Sequence, residues 1–130
     1  MPTNRRELNL LMEKINLLEK FGLFNEHWTP KIVGELNGQQ VKLVKFKGEF
    51  IFHKHENEDE LFMVIKGKFN MEYRDKTVEI NEGDMVIVPR GVEHKPVAEE
   101  EVWVMLFEPT STLNTGNLIN ERTKTQLETL

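Results

Sequence analysis

A chain of 130 residues, 38% hydrophobic and 30% charged, supports one domain around one apolar core. Its 17 Lys and Arg against 22 Asp and Glu leave a net charge of -5, with the basic residues scattered rather than striped, which excludes nucleic acid as an expected partner. Cysteine is absent, so neither a disulfide framework nor a thiolate site is available, and any metal has to be held by imidazole and carboxylate.

Near the N-terminus, Asn4 and Glu7 read as a capping box. Leu8, Leu11, Ile15 and Leu18 recur at spacings of three and four, predicting a helix with one buried face that stops at Gly22. Ile15-Asn16-Leu17 also fits a short edge strand, and Met12 an alternative start. No stretch reaches the run of about 18 apolar residues that a membrane span needs, and the expected location is the cytoplasm, away from any membrane.

From Lys31 the pattern changes to short runs of four to eight residues broken by Gly, Asn and Asp, an all-β rhythm. The expected strands are Lys31 to Leu36, Gln39 to Phe46, Glu49 to His53, Glu60 to Lys66, Lys68 to Tyr73, Thr77 to Ile80, Met85 to Val88 and Glu101 to Phe107. Eight or so short strands predict a double-sheet jelly roll or closed barrel. Val102 to Phe107 is apolar on both faces, so it needs cover outside the barrel as well, from a second subunit or from the N-terminal segment. The domain plan is therefore an N-terminal helical or edge segment over 1–24, a barrel over 25–109, and a polar tail over 110–130 lying on the barrel or partly disordered.

Three of the four histidines fall within about 40 residues. In His53-Lys54-His55, strand alternation would put both imidazoles on one face, as two ligands of one metal require. Glu60 opens the next strand and would return beside the pair. His94 follows the turn Pro89-Arg90-Gly91-Val92-Glu93, which can deliver a ligand from across the barrel. Three imidazoles and a carboxylate leave room for two more ligands around an ion.

The segment His53-x-His55, four residues, Glu60, six residues, Gly67 resembles the first cupin motif, and Gly83, five residues, Pro89-Arg90-Gly91, two residues, His94 resembles the second. Gly48 stands one residue closer to His53 than the usual pattern, and Ala98 replaces the Asn that often closes the second motif. From Ile15 through Phe24-Asn25-Glu26-His27-Trp28-Thr29-Pro30, the barrel, and Leu113-Asn114-Thr115-Gly116-Asn117, the chain is similar to small bacterial single-domain cupins, often labelled mannose-6-phosphate isomerase-like. That resemblance implies a double-stranded β-helix (jelly roll), usually a homodimer, with metal at His53, His55, Glu60 and His94. It implies no particular substrate.

Other residues have plainer readings. His27 and Trp28 read as packing or dimer contact, and the acidic run Glu56 to Glu60 lacks the glycine and spacing of a calcium loop. Lys54 and Arg90 read as exposed strand-end charges or as receivers of an anionic substrate. Phe62 and Val64 share parity with Glu60 and line the interior.

The metal stays open among iron, manganese, nickel, copper and zinc. Three functions fit: an enzyme acting on a small molecule (a sugar isomerase or epimerase, or a dioxygenase), a non-catalytic small-molecule binding or sensing barrel, and a barrel with a structural metal. No residue outside the ligands stands out as a general acid or base.

Overall fold

The structure, a computed structural model, describes residues 12–130. The capping box at Asn4 and Glu7, with Leu8 and Leu11, lies outside them. The helix that is described, α1, spans only Leu17–Phe21. It starts where the Asn16 side chain accepts the Glu19 N–H at 3.0 Å, and it ends at Gly22. Ile15 and Leu18, expected on a buried face, are 46% and 58% exposed. So short a helix is anchored by one side chain, Phe21, which is fully buried. Replacing Asn16 by Ala should cost about 1 kcal/mol in urea unfolding, because one orphan N–H of the first turn loses its acceptor.

Seven strands follow: β1 (Lys31–Leu36), β2 (Gln39–Glu49), β3 (Glu60–Lys66), β4 (Lys68–Tyr73), β5 (Thr77–Asn81), β6 (Met85–Val88) and β7 (His94–Pro109). Asn37 and Gly38 join β1 to β2, both at positive φ (52° and 76°), as a two-residue hairpin turn demands. All pairings are antiparallel. The long β7 organises the jelly roll: it pairs with β2 from Val97 to Pro109, with β3 along its second half and with β4 along its first, giving the order β1-β2-β7-β3-β6 with the β4-β5 hairpin joined to β7.

Alternation fills the barrel. Val44, Phe46, Phe62, Val64, Phe69, Met71, Val102, Val104 and Leu106 point inward and are buried, each large side chain contributing about 1.5–3 kcal/mol. Outside, Phe21 stacks on Trp103 at 4.9 Å and joins Phe24, Val33 and Leu43 in a second cluster. The doubly apolar stretch of β7 is thus covered externally by the N-terminal segment.

Two expectations need correction. Glu49 to His53 is not a strand: β2 runs on to Glu49 through a bulge at Gly48 (φ 87°), and residues 50–59 form no strand, their one β-bridge being His53↔His94. Conversely, β7 begins at His94, seven residues before Glu101, because Pro96 and Ala98 alternate inward although the charges of Lys95 and Glu99 to Glu101 hide the pattern. The tail after Pro109 lies on the barrel, with Leu130 N–H donating to Ile32 O and Ile32 N–H to Glu128 O, each at 2.9 Å.

Candidate metal centre

The backbone first sets the histidines. His53 and His94 exchange N–H to O=C bonds of 3.1 and 2.9 Å, which places the two imidazoles side by side with ring centroids 4.3 Å apart. His94 is therefore delivered by the segment running directly beside His53, at the start of β7, rather than from across the barrel. His53 Nδ1 lies 2.9 Å from Ile51 O and His94 Nδ1 2.9 Å from Val92 O. A carbonyl only accepts, so each Nδ1 carries the proton and each Nε2 keeps its lone pair for a metal. The carbonyl of His55 accepts from Gly91 N–H at 2.8 Å, and Glu60 enters at the start of β3 with the inward parity of Phe62 and Val64.

All four side chains are buried, and His94 is 0% exposed. Glu60 Oε1 lies 3.2 Å from His55 Nε2 and 3.5 Å from His94 Nε2, and the four ligating atoms all fall within 4.8 Å of one another. Ligands about 2.1 Å from an ion sit at most about 4.2 Å apart, so a contraction of about half an ångström closes the shell. His55 Nδ1 and Nε2, His94 Nε2 and Glu60 Oε1 are buried without hydrogen-bond partners. Three of these, His55 Nε2, His94 Nε2 and Glu60 Oε1, converge beside His53, which would be costly unless an ion satisfies them, and the donor set suits one.

Burial, aided by the neighbouring His94, lowers the His53 pKa to about 4, so its imidazole is neutral and ready to ligate at neutral pH. Burial opposes ionisation of Glu60, but the polar groups of Glu108, His55 and His94 packed against it outweigh burial and hold this carboxyl well below its ordinary range. Burial and the Glu60 charge push Glu108 well above that range. The two carboxyls thus share one proton and one negative charge, and Lys42 Nζ donates to Glu108 Oε1 at 2.8 Å with both side chains buried.

Glu108 and Lys42 were not singled out from the sequence, yet parity places them: Lys42 precedes inward Val44 and Phe46, and Glu108 follows inward Val104 and Leu106. Both line a cavity of about 40 Å³, measured as space open to the centre of a water-sized molecule, next to His53 and Glu60. Its apolar walls are Trp28, Phe46, Phe50, Phe62 and Leu106, with Asn114 and Leu127 from the tail. Trp28 stacks on Phe46 and Phe50 at 4.5 and 4.9 Å, so the packing expectation holds while the residue also faces the cavity. His27 pairs instead with Glu101 at 2.7 Å. Lys54 and Arg90 are engaged by Glu56 and Asp59, at 3.2 and 3.3 Å, and do not face the site as free cations.

The Cupin domain family matches residues 41–108, more than half of the chain and every strand that supplies a ligand. The chain is a cupin. A cupin-2 domain containing protein from Shewanella frigidimarina is 43% identical in sequence to this cupin, superposes with a TM-score of 0.74, and is matched over 78% of this chain and 98% of that one. A protein from Neisseria meningitidis is 31% identical over 75% of this chain and 100% of that one, with a TM-score of 0.70. The uncharacterized protein YdbB of Bacillus subtilis is 34% identical over 64 residues, 48% of this cupin and 57% of YdbB. This cupin therefore spans little more than half the length of that relative. Among the described residues no helix is long and apolar enough to cross a membrane.

Proposed function

We propose that this cupin binds one divalent transition metal ion, iron, manganese, nickel, copper or zinc, through His53, His55, Glu60 and His94, and holds a small anionic molecule in the adjoining cavity. The observation that carries this reading is the convergence of four buried ligating side chains, three of them with ligating atoms left without a hydrogen-bond partner. When bound, the metal supplies Lewis acidity to an oxygen of the ligand.

The ligand's charge follows from the groups around it. A bound divalent ion would displace the proton that Glu60 and Glu108 share, so the two carboxylates balance its charge and the Lys42 ammonium is left as surplus positive charge at the cavity wall. A ligand with one negative charge restores neutrality where few water molecules can enter. Its size is bounded as well, since about 40 Å³ admits the centres of about three water molecules at roughly 10–15 Å³ each. A carboxylic or hydroxy acid of a few carbons fits, packed against Phe62 and Trp28. Glu108, hydrogen-bonded to Lys42 in the cavity wall beside Glu60, is placed to exchange a proton with the ligand as general acid or base.

Elemental analysis of protein purified without chelator or metal-affinity tag tests the proposal. Close to one equivalent of one of the five metals per chain is expected. His55→Ala should bind that metal more than about tenfold less tightly, since loss of even an outer-shell partner costs about 10–100-fold. A wild-type chain that carries no metal and takes up none, or a His55→Ala variant that stays fully loaded, would overturn it.

A further inference from the structure

Two of the four metal ligands sit on a segment with little regular backbone support. Between β2 and β3 the chain around His53-Lys54-His55 is held by the bridge to His94 on one side and by Gly91 N–H on the carbonyl of His55. Lys54, between the two ligands, points its own N–H and C=O elsewhere, and both are taken by a single residue of the tail. Lys54 N–H donates to Asn117 Oδ1 at 2.9 Å, and Asn117 N–H donates to Lys54 O at 2.9 Å. The asparagine thus imitates a strand partner where no strand exists.

Beside it, Gly116 has φ 58°, and a Cβ there would stand 2.2 Å from Lys54 O and 3.1 Å from His53 Cδ2. Only glycine lets the tail approach so near, and the approach ends on the ring of a ligand. The loop is braced so that it can bear on that segment. Asn114 uses both ends of its amide, donating to Arg122 O and accepting from Lys124 N–H, each at 2.8 Å. Thr115 is fully buried, with its hydroxyl 2.6 Å from that of Thr123.

We infer that residues 113–117 form a clamp in which Gly116 and Asn117 position the Lys54 backbone, and through it the imidazoles of His53 and His55, for one metal ion. The inference rests on the metal reading above. Asn117 and Gly116 touch no ligating atom, so they are positioning residues. Ligand geometry held by an outer contact is worth about 10–100-fold in metal affinity. A merely structural loop would instead reveal itself in the stability of the metal-free fold.

The test is Co²⁺ binding to metal-stripped protein, followed by the visible absorption of the bound ion, for wild type, Asn117→Ala, Asn117→Asp and Gly116→Ala. Asn117→Ala should weaken Co²⁺ about 10–100-fold and alter the spectrum, while the metal-free melting temperature falls by less than about 5 °C. Asn117→Asp keeps an acceptor for Lys54 N–H and should recover most of the affinity and the wild-type spectrum. Gly116→Ala should weaken binding at least as much, because its methyl group cannot share space with Lys54 O. Wild-type affinity and spectrum in Asn117→Ala, or a loss of affinity that Asn117→Asp leaves unrepaired, would overturn the clamp alone. A wild-type chain that binds no Co²⁺ would overturn the metal reading and the clamp with it.

Discussion

Replacing Lys42 by Met should destabilise the metal-free protein by about 3–5 kcal/mol, the range for removing one partner of a buried ion pair. Lys42 and Glu108 meet at 2.8 Å with side chains 2% and 3% exposed, so water cannot take over the missing ammonium. The variant leaves the Glu60 and Glu108 carboxyls with one negative charge between them and no cation beside it. Removing the charge from both positions, in Lys42→Met with Glu108→Leu, should recover most of the loss, since the cavity wall then has neither an orphaned ammonium nor a second carboxyl. Urea unfolding of the two single variants and the double variant gives the coupling. Costs that simply add would show that Lys42 and Glu108 do not act as a pair. The metal offers a second check: a divalent ion balances both carboxylates, so the penalty of Lys42→Met should shrink once the protein is loaded.

That pair also marks where the sequence stops being readable. The bounds of β1, β3, β4 and β6 coincide with the runs of alternating residues between Gly, Asn and Asp, because alternation and turn chemistry are local. His53, His55, Glu60 and His94 are legible for a similar reason, as spacing within two short motifs. Lys42 and Glu108 carry the inward parity of their strands, yet a charge on a strand ordinarily reads as solvated. Only the antiparallel pairing of β2 with β7, 66 positions apart in the chain, shows that each buries the other. The first half of β7 was obscured by its charges in the same way. In the tail no hydrophobic period exists to read: Gly116 and Asn117 dock through backbone groups and one amide, contacts that leave no trace in patterning. Helix periodicity misled for the opposite reason, since Ile15 and Leu18 satisfy a spacing whose buried face α1 is too short to form.

In the metal-free protein the His53 imidazole should withdraw about 3 kcal/mol of stability as pH falls from about 6.5 to 4. His53 titrates near its ordinary value of 6.5 in the unfolded chain but at about 4 in the fold, and each unit of that difference is worth about 1.36 kcal/mol. Between those values the unfolded chain binds the extra proton, so stability is complete above the upper value and declines toward the lower. Glu60 acts in the same direction further down: its lowered carboxyl stabilises the fold above the ordinary range and stops doing so as acid protonates it. Glu108 has the opposite sign, its raised carboxyl favouring the fold at low pH and losing that contribution as pH rises through its folded value. Above the ordinary carboxylate range Glu108 is protonated in the fold but ionised in the unfolded chain, so it offsets the histidine's slope there, and the His53 contribution is read as the difference between wild type and a variant without the imidazole. At the acidic end, where the unfolded carboxyl takes up its proton as well, that offset fades. Denaturant unfolding at half-unit steps of pH reads the slope directly. In His53→Asn, which has no imidazole at that position, the slope should fall by about one proton over the window. An unchanged slope would place the protons elsewhere. Metal-loaded protein should hold its stability further into acid and then lose ion and fold together, since protons and metal compete for the same Nε2 lone pairs.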